Sequence, residues 1–194
     1  MQKVVGSNPI ARSILPGAQP RRLSPRFRFR GQRSSNGGRW TMLSALALAL
    51  HALSAVVWVG GMAFAYLFVR PALGALEGPQ RQTLWRGTFA RFFPVVWGTV
   101  GLLLLTGYYM VFGTYGGFAN VGVHVHIMHL LGLVMMAIFA HVFFAPWRRF
   151  AKAVDAGDRE TAAQNIETIR KLVALNLTLG VIVVVVASGG RFWG

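Results

Sequence analysis

Five histidines, His51, His124, His126, His129 and His141, carry most of the chemistry this sequence offers, and each lies inside or beside a long apolar stretch. An ionisable group is costly to bury in hydrocarbon, so each marks a functional candidate. The blander reading is that neutral imidazoles bond across helices and hold them together. Helical spacing places His124 and Met128 on one face at i and i+4, Met135 seven residues beyond Met128, and Met136 seven beyond His129. Imidazole nitrogen and thioether sulfur together suit copper, Cu(I) above all, while two opposed imidazoles equally suit the axial positions of haem b. Methionine is also an ordinary gap filler. The absence of cysteine removes thiolate metal sites, disulfides and a cysteine nucleophile. With no Ser/His/Asp order or Gly-rich phosphate loop to defend, no catalytic residue is expected.

The elements that position these histidines follow from hydropathy. Of the 194 residues 54% are hydrophobic and 13% charged, and the mean hydropathy is +0.49. That balance suits a small polytopic membrane protein. Four apolar stretches, about 42–69, 92–112, 123–147 and 172–188, are long enough to cross a bilayer core, the last barely so. The fold expected is all-α, an integral membrane four-helix bundle over residues 42–194, preceded by a disordered basic tail over residues 1–41. The segment 155–172 reads as a helix leading into the fourth span, with Asp158 as its N-cap. Trp85, Trp147, Tyr108 and Tyr109 fit interfacial belts.

The formal net charge of +15 resembles a nucleic-acid signal until it is divided along the chain. Nine of the twenty basic residues and none of the five acids lie in the first 40 residues, so the charge belongs mostly to the tail and no nucleic-acid partner is expected. In the bundle, Arg70, Arg81, Arg86 and Arg91 follow the first stretch, and Arg148, Arg149, Lys152, Arg159, Arg170 and Lys171 follow the third. The connection "GTYGGFANVG" after the second has no charge. Basic residues collect on the cytoplasmic side, so the uncharged loop and both termini are expected on the periplasmic side.

Counting about 1.5 Å per residue from the outer ends, His51 lies about 14 Å into the first span, His129 about 9 Å and His141 about 27 Å into the third. His51 and His129 are then expected to face each other in the outer half, with His124 and His126 at its mouth. His141 falls near the cytoplasmic edge, where Asn176 is a candidate hydrogen-bond partner.

The stretches "HALSAVVWVGGMAFAYLFVRPAL", "HIMHLLGLVMMAIFAHVFFAPWRRF" and "IRKLVALNLTLGVIVVVVASGGR" resemble the copper-resistance D (CopD) family of bacterial inner-membrane proteins over nearly all of residues 43–191. The resemblance implies a minimal four-helix domain concerned with copper binding, uptake or tolerance. His51, His124, His126, His129 and Met128 would be the metal ligands, copper would come from a periplasmic carrier, and a homodimer or membrane partner would complete a path. A second resemblance, from His51 through Trp58 and Gly61 to Phe64, is to the first helix of HemJ-type protoporphyrinogen oxidases. It implies haem b, with His51 and a third-span histidine, His129 or His141, as ligands. Those enzymes carry a lysine after the first third-helix histidine and an Asn-Glu-x-Pro run in the fourth helix; here Leu130 or Leu131 and "NLTL" stand instead. A structural or assembly subunit with packing histidines is the third reading.

A tail of +9 directly before the first span opposes the orientation set by the loops, which favours Met42 as the start of the mature chain. Intact-protein mass spectrometry is expected to find a chain beginning there; a mature chain that retains residues 1–41 contradicts it.

Overall fold

A computed structural model of the chain describes residues 35–192. The predicted tail falls almost wholly outside the described residues, although the first helix already begins at Ser35. Among the described residues the structure is helical, with no strand. Helix α1 (Ser35–Phe64) continues through a wide turn at Ala65–Val69 and a short turn at Arg70–Ala72. Helix α2 is Gly78–Tyr108, widening over Tyr109–Thr114. Helix α3 (Val123–Val142) widens over Phe143–Trp147 and runs on through Arg148–Asp155. Helix α4 is Arg159–Gly189. With these continuations all four are long and apolar enough to cross a membrane.

Two of the wide turns have a covalent cause. Pro71 and Pro146 lack an N–H, and their rings collide with the carbonyl four residues back, so the helix opens locally instead of breaking. The helices outrun the apolar stretches at their charged ends. Arg81, Arg86 and Arg91 lie on α2 itself, not in a loop, because the Glu77 and Gln80 capping box starts that helix early. Asp158 caps α4, accepting from the Thr161 N–H at 3.1 Å. Hydrogen bonds from Thr161, side chain and backbone, hold the Asp158 carboxyl below the usual carboxylate range. The cap is therefore intact at neutral pH and is lost only as pH falls through that lowered value.

Packing follows the apolar faces. α1 runs along α2, α3 along α4, and α1 also meets α4, whereas α1 and α3 share no extended seam. Aromatic side chains close the remaining gap. Trp85, Phe89, Phe93 and Trp97 recur every four residues along one face of α2. Phe89 and Phe93 stack at 5.0 Å, and Phe93 meets Phe139 at 5.6 Å and Trp147 at 5.3 Å on α3. Trp147, expected in an interfacial belt, is instead buried in this stack. Arg86 lies over its ring at 5.5 Å and pairs with Asp155 at 3.1 Å, which joins the two basic connections at one end of the bundle. Outward, Leu46, Leu53, Val56, Leu105, Leu130 and Val185 are more than half exposed, as helices solvated by lipid require.

Asn176, expected near His141, is buried and donates to Met62 Sδ at 3.8 Å, while His141 is exposed on α3. The pairing fails because Asn176 points inward to α1 and His141 outward.

Gly180 marks the junction of three helices: a Cβ there would lie 2.9 Å from Val59 and 3.2 Å from the Met135 methyl. Gly180→Val should lower stability by about 1–3 kcal/mol through overpacking. Gly132→Ala, with nothing within 4 Å of its Cβ, should not destabilise the bundle. Thermal unfolding in detergent compares the two; equal midpoints would contradict this packing.

Candidate metal centre

His51 sits on α1 against Thr106 and Gly107 of α2. Its Nδ1 is 2.9 Å from Thr106 Oγ1, and a Cβ at Gly107 would lie 3.3 Å from its Cε1. The glycine thus lets the imidazole lie close to the α2 backbone. Thr106 is buried, and its hydroxyl donates to the Leu102 carbonyl one turn back. A hydroxyl has one proton. With that proton committed to Leu102, Thr106 Oγ1 accepts from the ring, which assigns the imidazole proton to Nδ1 and the lone pair to Nε2. Fixing the tautomer through the distal nitrogen is how proteins prepare a histidine to bind metal.

The register behind this contact is visible beside it. Ser44 Oγ and Thr114 Oγ1 pair at 2.9 Å nearer the loop between α2 and α3. Seven residues separate Ser44 from His51 and eight separate Thr106 from Thr114, two turns on each antiparallel helix. The sequence signal was therefore present as two polar pairs in matching register.

The other histidines lie on α3, three of them, His124, His126 and His129, toward the end that carries the uncharged loop. His129, expected to face His51, is bracketed by rings: Tyr108 at 5.6 Å edge-on and Phe118 at 5.0 Å. His126 is exposed, with its ring 5.9 Å from Phe118. Phe118, on the short turn Phe118–Asn120, thus lies against both, and sequence reasoning gave it no role. His124 is part-buried against the end of α4, where a Cβ at Gly190 would fall 2.3 Å from its own Cβ. Met128 is part-buried, and Met135 belongs to the core. Among the described residues no three His, Asp or Glu side chains cluster closely enough to hold a metal ion. The structure brings His126 and His129 together around Phe118, and His51 is presented from α1 against Thr106 and Gly107.

Two cavities among the described residues are lined without a histidine, so they lend haem b no support.

Four long apolar helices, with four of the five histidines toward one end and the basic connections at the other, define a multi-pass membrane protein. The sequence model of the family described as Copper resistance protein D matches residues 86–189, more than half of the chain, and the chain belongs to that family. No curated protein and no solved structure matches it. The match bears out the first resemblance, and the HemJ-type likeness has no counterpart in it.

Thr106→Val keeps the shape of the side chain and removes the acceptor. In ¹⁵N spectra of histidine-labelled protein, His51 should be protonated at Nδ1 in the parent and shift toward the Nε2–H form in the variant. A parent already protonated at Nε2 contradicts the assignment.

Proposed function

We propose that this chain handles copper at the outer end of a bacterial inner-membrane bundle, binding the ion as cargo for uptake or tolerance. The observation that carries the reading is the contact of His51 Nδ1 with Thr106, which orients the ring, with a glycine beneath it. Neutral imidazole is a ligand for Cu(I), and thioether sulfur complements it. Membership of the copper-resistance family supplies the metal.

In this proposal both termini and the uncharged loop face the periplasm. His124 and His126, with Met128, take Cu(I) from a periplasmic carrier, and His129 relays it toward His51. Cu(I) is content with two or three soft or borderline donors, so a cluster of three histidines is not required. The aromatic bracket of Tyr108 and Phe118 keeps water away from His129. That favours the reduced ion, which tolerates an apolar shell better than Cu(II). A second copy of the chain or a membrane partner would complete any path through the bilayer.

Purified parent protein loaded with Cu(I) should retain copper stoichiometrically after desalting. His51→Ala should lose it, and Thr106→Val should weaken affinity roughly 10–100-fold, as loss of an orienting partner does. Copper retention unchanged in His51→Ala, or absent in the parent, refutes the proposal.

A further inference from the structure

We propose that the cleft between the end of α1 and the first turns of α2 and α4 binds an anionic phospholipid through its phosphate. The cleft has a volume of about 450 Å³ and presents Arg70, Arg81 and Arg170, and no acidic residue lines it. Its wall is apolar and aromatic, including Tyr66, Trp85 and Ile169. A cationic rim over an apolar wall is the chemistry of an amphiphile with an anionic head, and it repels copper.

The three arginines are held differently. Arg70 lies over the Tyr66 ring at 5.1 Å, which fixes its guanidinium against the apolar wall. Arg81 is exposed, and its side chain has no hydrogen bond or ion pair among the described residues. Arg170 pairs with Glu167, but the same carboxylate also faces Lys171 at 4.0 Å, so that corner keeps a positive balance. Guanidinium groups match phosphate oxygens in pairs, and several can share one phosphate. The cleft sits where the apolar helices meet the basic connections, the depth at which headgroups lie. Its size admits a headgroup and the start of a chain, with the rest of the lipid left in the bilayer.

Native mass spectrometry of the full chain in detergent tests this, with phosphatidylglycerol and phosphatidylcholine titrated in turn and inorganic phosphate as competitor. Phosphatidylglycerol should bind more tightly, and each arginine removed should weaken it roughly five-fold. The combined variant Arg70→Gln, Arg81→Gln, Arg170→Gln should lose the preference, whereas Arg148→Gln with Arg149→Gln, outside the cleft, should keep it. If the combined variant fails to fold, Arg81→Gln alone carries the test, since that side chain is exposed and has no bonding partner among the described residues. Equal affinity for the two lipids, equal loss in the control pair, or full displacement by millimolar inorganic phosphate overturns the proposal. The last outcome would mean that a soluble anion is bound and the apolar wall is idle.

Discussion

A single hydroxyl proton decides what the histidine-bearing end of this bundle can do. Thr106 gives that proton to the Leu102 carbonyl and must therefore receive one from His51. A hydrogen bond of this kind between membrane helices stabilises by only about 0.6 kcal/mol on average, up to about 1.7. Its consequence is chemical more than energetic: it selects one of two tautomers and defines which ring nitrogen carries the lone pair. The glycine after Thr106 makes the contact possible, because any larger residue at 107 crowds the ring.

The rest of the fold holds α1 and α2 in the register that this contact needs. The aromatic face of α2 locks onto α3 through Phe139 and Trp147, and α4 closes against α1 and α3 at Gly180. The prolines widen α1 and α3 near the basic end, away from the His51 contact. In lipid the apolar surface gives little driving force for association, so close packing of rings and small residues has to supply it. That is why the core is concentrated in a few large side chains while much of the surface stays apolar.

Much of this was legible from the residues. Apolar length gave the four helices, the Asp158 cap was visible as an acid before a helical pattern, and the stack on α2 shows as aromatics every fourth residue. The family was legible too, over a shorter range than the stretches first compared. Pair geometry was not. Depth along a span says nothing about azimuth, so His51 and His129 at similar depth were expected to face each other. α1 packs beside α2 and α4, and the ring contacts of His129 are with Tyr108 and Phe118. Asn176 was assigned the wrong neighbour for the same reason. The basic residues were read as loops because charge ends an apolar stretch, yet charge does not end a helix.

The most direct test is X-ray absorption at the copper edge on Cu(I)-loaded protein, comparing the parent with His51→Ala. The account predicts a low-coordinate Cu(I) site with imidazole scattering in the parent, and loss of that copper site in the variant. An unchanged spectrum, or a parent spectrum without imidazole scattering, would contradict it.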